Sequence, residues 1–176
     1  MPKGHRNISA AVTRFIGFCR KSVRRGEFDK ALTHIARALE LNPNDGDLLA
    51  TYGDMLAYAG QSGDARPWVD DAMRRNPHFP DWYASVLAKI LYLQKDYDGA
   101  IATLNRIGTL AIWDRRILAA SYGQLGRRDD AQKHVEAVLE SDPDFSLATF
   151  KSTVQYRRDA DKNYFLDGLK KAGLPE

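Results

Sequence analysis

The chain has a single cysteine, Cys19, among its 176 residues. That excludes an internal disulfide and a thiolate metal cluster, and it fits a reducing, cytoplasmic setting. No stretch approaches the roughly 20 apolar residues that a membrane span requires. The N-terminal sequence MPKGHRNISAAVTRFIGFCRKSVRR lacks a clean apolar segment because Arg14 interrupts it, so a secretory signal is not expected. It also lacks any acid before Glu27 and in that respect looks like an organelle transit peptide, although the same residues serve better as a helix. Its opening MPKGHRN reads as a disordered lead.

Catalytic and cofactor signatures are missing as well. His5, His34, His78 and His134 lie far apart and form no ligand-spaced pair. No GxxxxGK[ST] or GxGxxG loop is present to cradle a phosphate. Acid pairs such as Asp70-Asp71 and Asp129-Asp130 suit helix starts and outer faces, where an acid complements the positive helix N-terminus. Cys19 falls in a column of small residues and is expected to be buried and inert. The chain is therefore expected to hold no cofactor and no metal, and not to be an enzyme.

Charge is uneven. The net charge is +3, but residues 1–30 hold Lys3, Arg6, Arg14, Arg20, Lys21, Arg24, Arg25 and Lys30 against only Glu27 and Asp29. A basic end suits an acidic partner, a nucleic acid or an anionic surface. No aromatic residues interleave with these bases except Phe15 and Phe18, which fall on a core face. Nucleic acid is therefore not the expected partner.

What is present is repetition. Ala31, Ala65, Ala100 and Ala131 sit in the similar phrases GEFDKAL, GQSGDARPW, KDYDGAI and GRRDDAQ, at spacings of 34, 35 and 31 residues. Twelve residues before each lies a small side chain: Cys19, Gly53, Ala88 and Ala119. Two helices approach closely where both are small. Pro43, Pro77 and Pro143 close the first, second and fourth units, because proline lacks the amide that would continue a helix. Gly26, Gly60 and Gly126 suit the left-handed residue that ends a helix, with Gln94 expected at that place in unit three. Apolar residues at spacings of three and four then mark one face of each helix. Second helices carry Ile35 and Ala38, Val69 and Ala72, Leu104 and Ile107, Val135 and Val138. First helices carry Phe15 and Phe18, Leu49 and Tyr52, Leu87 and Leu91, Leu118 and Tyr122.

These columns resemble the tetratricopeptide repeat family, a pattern of period near 34 with two antiparallel helices per unit. The second unit carries it best: Leu49, Tyr52, Gly53, Gly60, Ala65, Val69, Ala72 and Pro77. The resemblance implies an all-α fold, a right-handed helix-turn-helix superhelix of about four units. Their bounds fall near 12–45, 46–80, 81–111 and 112–145, after a basic lead at 1–11. Unit three has Gly108 where its closing proline should stand, and the next step is short, which predicts an irregular turn over 106–114. Beyond Pro143 the pattern changes. One amphipathic helix is expected up to about Arg158 and another from about Asp161 to Ala172, a capping pair over 146–176 that would cover the last stacking face. This tail also resembles the C-terminus of bacterial proteins that join a class III adenylate/guanylate cyclase domain to such repeats. That similarity carries no catalytic residue onto this chain; a cyclase domain would lie elsewhere.

The family resemblance implies a concave groove lined by the first helices. It assigns Arg20 and Arg24 from unit one, Thr51, Asp54 and Tyr58 from unit two, and Trp82, Lys89 and Tyr92 from unit three. Unit four gives Trp113, Arg116 and Gln124. The expected function is a protein-interaction module holding a peptide or helix there, anchored by aromatic and arginine side chains. The alternative is the interaction or regulatory part of a cyclase-type signalling protein. Trp82 and Trp113 serve equally well as packing at repeat junctions. Some relatives grip chaperone tails with Lys and Asn; those columns here hold Ile16, Arg20, Thr51, Trp82 and Val86, so that ligand is not expected. Self-association through the uncovered N-terminal end is a further open use of the fold.

Overall fold

The computed structural model describes residues 4–176, with side chains described from Val12 onward. Lys3 and the side chains of His5 and Arg6 lie outside the described residues. Among the described residues ten helices follow one another: α1 (Gly4–Arg24), α2 (Phe28–Leu41), α3 (Gly46–Tyr58), α4 (Ser62–Arg75), α5 (Asp81–Leu93), α6 (Tyr97–Leu104), α7 (Ile112–Gln124), α8 (Arg128–Ser141), α9 (Leu147–Thr153) and α10 (Asp159–Ala172). No strand occurs among the described residues. Helices α1/α2, α3/α4, α5/α6 and α7/α8 pack as pairs, and each pair stacks on the one before it. The helix α1 begins within the stretch read as a lead.

The small-residue columns explain the pairing. Ala31, Ala65, Ala100 and Ala131 are fully buried, as are Cys19, Ala88 and Ala119. A methyl group added at Gly53 would lie 2.6 Å from Val69 Cγ2 and 2.9 Å from the Ala65 carbonyl oxygen. Nothing larger than hydrogen fits between α3 and α4 there. Cys19 Sγ lies 3.5 Å from the Ala31 carbonyl oxygen.

The turns within the units share one closure. The amide after the left-handed residue donates back five residues: Glu27 to Ser22, Gln61 to Leu56, Asp96 to Leu91 and Arg127 to Tyr122, each at 2.9 Å. Gly26, Gly60 and Gly126 take the positive φ. In unit three the residue that does so is Lys95, at φ 66, and not Gln94, which keeps φ −83. Counting back five residues from Ala100, as for the other units, lands on Lys95. The irregular step is visible too: α6 has only 8 residues, and residues 105–111 join it to α7 without a helix.

The tail departs from a simple helical cap. α9 stops at Thr153, and Val154 is already extended (φ −78, ψ 129). Val154 and Tyr156 are buried while Arg157 is exposed, a period of two that belongs to extended chain and not to helix. α10 then packs chiefly along α7. Gly168 faces Ala120 there, and a methyl group on Gly123 would lie 2.8 Å from the Ala172 nitrogen. Gly173, at φ 105, ends α10, and the Pro175 carbonyl accepts the Leu147 amide at 2.8 Å, tying the C-terminus to α9.

Candidate functional site

The first helices α3, α5 and α7 present the residues assigned to the groove, and part of that surface is covered by the chain itself. At its centre the ammonium of Lys89 on α5 meets the carboxylate of Asp54 on α3, both buried. Lys89 Nζ also lies 3.5 Å from the centre of the Tyr58 ring. Burial, the largest influence, pushes the Lys89 pKa down, but Asp54 and Tyr58 outweigh it and hold it above the ordinary lysine value. The lysine stays charged, as a buried ammonium does only when it is paired. Burial raises the Tyr58 phenol, which Lys89 partly offsets.

Residues 154–158 run over this cluster as a strap. The Tyr156 ring packs on Tyr58 at 5.3 Å between centroids, and burial raises its phenol well above the ordinary value. The Arg157 amide donates to the Tyr58 carbonyl at 2.9 Å. The Arg157 guanidinium pairs with Asp29 and lies 5.6 Å from the Phe28 ring centre. The Arg158 side chain lies over Gly60. Farther along, α10 covers Tyr92, whose hydroxyl donates to the Tyr164 carbonyl at 3.1 Å and whose ring faces Phe165 at 5.5 Å. Gln124 donates to Asp167 at 3.1 Å.

An opening remains beside the strap. One cavity of about 220 Å³ is lined by Val23, Arg24, Tyr58, Trp113, Phe150 and the strap residues Val154 and Gln155. A second, of about 140 Å³, is lined by Arg20, Val23, Arg24, Asp54, Met55 and Tyr58. They share Val23, Arg24 and Tyr58 and form one mouth between the end of α1 and the start of α7. Arg20 and Arg24 are exposed, and among the described residues no carboxylate pairs with either. The Arg20 guanidinium sits 5.4 Å from the Trp82 ring centre.

The eleven residues assigned to the groove thus divide, with Thr51 buried in α3 and Gln124 bonded to Asp167 of α10. Arg20, Arg24, Tyr58 and Trp113 line the mouth, with Asp54 at its floor and Trp82 at its edge beneath Arg20. Lys89 and Tyr92 are buried beneath the strap and α10. Arg116 lies apart, its guanidinium 4.7 Å from the Phe150 ring centre and 5.1 Å from that of Phe145; burial lowers its pKa, partly countered by Asp142. Trp113 packs on Phe165 at 5.4 Å and so serves both core and cavity. Sequence reasoning missed Tyr156, Arg157 and Val154. The signal was the alternation in Val154-Gln155-Tyr156-Arg157, which a helical reading of the tail passed over.

Burial pushes the Cys19 thiol up to about 11, far from a reactive thiolate. Among the described residues no group of His, Cys, Asp and Glu is placed to hold a metal ion. None of the described helices is long and apolar enough to cross a membrane.

Comparison with known proteins agrees with the geometry. Residues 22–80 and 117–145 each match a tetratricopeptide repeat family model. No curated protein matches the sequence significantly. Among solved structures the chain is similar to MamA (TM-score 0.58, 21% identity, 91% of each chain covered). It is also similar to pilF of Pseudomonas aeruginosa (TM-score 0.66, 16% identity, covering 97% of this chain and 80% of that one). A third is YrrB, described as a TPR protein with an unusual peptide-binding site (TM-score 0.56, 20% identity, covering 94% and 90%). At these identities the likeness speaks to fold alone. The matched repeats and the paired helices together show that the chain is an all-helical solenoid of tetratricopeptide repeats.

Proposed function

We propose that the chain is a protein-interaction module that takes an extended partner segment at the mouth between α1 and α7. The mouth's lining carries this reading: among the described residues no carboxylate pairs with Arg20 or Arg24, and Tyr58, Trp113 and Phe150 wall the cavity beside them. Each of the two cavities, about 220 and 140 Å³, is smaller than the several hundred Å³ usual for a small-molecule site and suits one or two side chains of a peptide. The two guanidinium groups favour a segment bearing a carboxylate, because Arg offers several donors in a fork that matches it. A cytoplasmic setting belongs to this reading.

The test is fluorescence anisotropy with labelled acidic, neutral and basic peptides over a salt series. The acidic peptides should bind, more weakly as salt screens the charges, and Arg20→Glu with Arg24→Glu should abolish binding. Equal binding of all three peptide classes, or binding that survives both charge reversals, removes the mouth from the account. Self-association through α1 is the competing reading, and sedimentation at several concentrations separates the two.

A second reading draws on the tail's resemblance to cyclase-linked repeat proteins. It makes the module a regulatory partner of a class III cyclase domain. Titrating the chain against such a domain should change its turnover; an unchanged rate would end that reading.

A further inference from the structure

The strap does in cis what a bound peptide would do in trans. Residues 154–158 leave the helix with Val154 extended, donate a main-chain hydrogen bond to the end of α3, place one aromatic ring against Tyr58 and set one arginine on Asp29. These are the elements of peptide capture: a main-chain tie, a pocket for a side chain and a charge contact. We infer that the face formed by Asp29, Phe28, Tyr58 and Phe165 is a docking seat for an extended aromatic–arginine segment, which the chain's own Tyr156-Arg157 occupies and guards against partners.

Unequal anchoring supports this. α10 is fixed by the close seam of Gly123 and Gly168, where a single methyl group would collide with neighbouring backbone. Among the described residues the strap itself has one backbone tie to the repeats, from Arg157 to Tyr58. Its ion pair with Asp29 is open to water on both sides, and exposed pairs hold weakly. Lifting the strap therefore costs chiefly the burial of Val154 and Tyr156, and leaves the α10 seam in place. A tethered occupant acts at an effective concentration in the millimolar range, so a partner needs either high affinity or a strap already loosened. Val154 and Gln155 also wall the mouth, so lifting the strap enlarges that cavity and joins it to the seat. The inference rests on reading this groove as a peptide site, but its test uses no acidic ligand and no mouth arginine.

The probe is a labelled peptide of residues 152–160, STVQYRRDA. The proteins are the full chain, the double variant Tyr156→Ser with Arg157→Ser, and Arg157→Pro. The last removes the amide that donates to the Tyr58 carbonyl together with the guanidinium that pairs with Asp29, and leaves Tyr156 in place. The full chain should show no saturable binding below about 1 mM, because the tethered strap competes. The two variants should bind the probe, and adding Asp29→Asn should weaken that binding at least about fivefold. A probe with alanine in place of its tyrosine should not bind. If the double variant does not fold, Arg157→Pro decides alone. A folded variant whose strap amides exchange freely, yet which does not bind the probe, overturns the inference; so does equal binding by the unaltered chain. Binding of the probe alongside failure of the acidic peptides would sink the mouth reading and leave the seat standing.

Discussion

The backbone amide of Arg157 donates to the carbonyl of Tyr58 at 2.9 Å, joining the extended tail to the last turn of α3. Around this bond the Tyr156 ring covers Tyr58, and Tyr58 in turn faces the Lys89 ammonium. Tail, second repeat and third repeat are therefore one packed unit. Replacing Tyr156 with alanine empties a buried aromatic site and should cost about 3 kcal/mol. Urea denaturation followed by circular dichroism measures it, and a loss under about 1 kcal/mol would mean that the strap is not packed as described.

The Lys89–Asp54 pair is buried. Removing one partner strands the other without water, so Lys89→Ala should cost about 3–5 kcal/mol. Lys89→Met together with Asp54→Leu should cost far less, since both desolvated charges leave at once. Equal losses in the single and double variants would show that the pair is not coupled.

Lys95 holds a left-handed conformation that its three counterparts fill with glycine. A side chain there costs roughly 1–2 kcal/mol, offset in part by the greater freedom of glycine in the unfolded chain. Lys95→Gly should stabilise the protein by about 0.5–1 kcal/mol. A thermal melt that moves downward would contradict the turn geometry.

His134 is 2% exposed, and among the described residues neither ring nitrogen has a hydrogen-bond partner. Burial, helped by Lys133 and Arg115, lowers its pKa to about 4. Above pH about 6.5 the ring is neutral in folded and unfolded chains alike. Between that pH and about 4 the unfolded chain takes a proton that the folded chain refuses, so stability falls as pH falls. The loss approaches about 3 kcal/mol. Melting temperatures from pH 7.5 to 4.5 should decline, and His134→Leu should flatten the decline; identical profiles for both proteins would refute the assignment.

Repeats and register were legible because packing imposes them locally. Ala65 opposite Gly53 leaves room for nothing larger, so the residue types recur at fixed spacing. The turn in unit three was displaced by one residue because Lys95 lacks the glycine that marks the others. The tail was harder. The apolar spacing over Leu147–Arg158 reads as helix, and tertiary contacts with Tyr58 and Phe165 hold Val154–Arg158 out of it. The groove suffered for the same reason. Its columns at Lys89 and Tyr92 are placed as the repeat dictates, yet a distant segment of the same chain covers them. Arg20, Arg24 and Trp113 escaped that cover because the strap passes beside them.

The account turns on the groove being partly filled by its own chain, and hydrogen exchange at the Arg157 amide tests this most directly. The predicted result is slowing by about 100-fold or more relative to an unstructured chain, as for an amide bonded within the packed structure. Exchange at the unprotected rate, with the amides of α7 and α10 still protected, would contradict it.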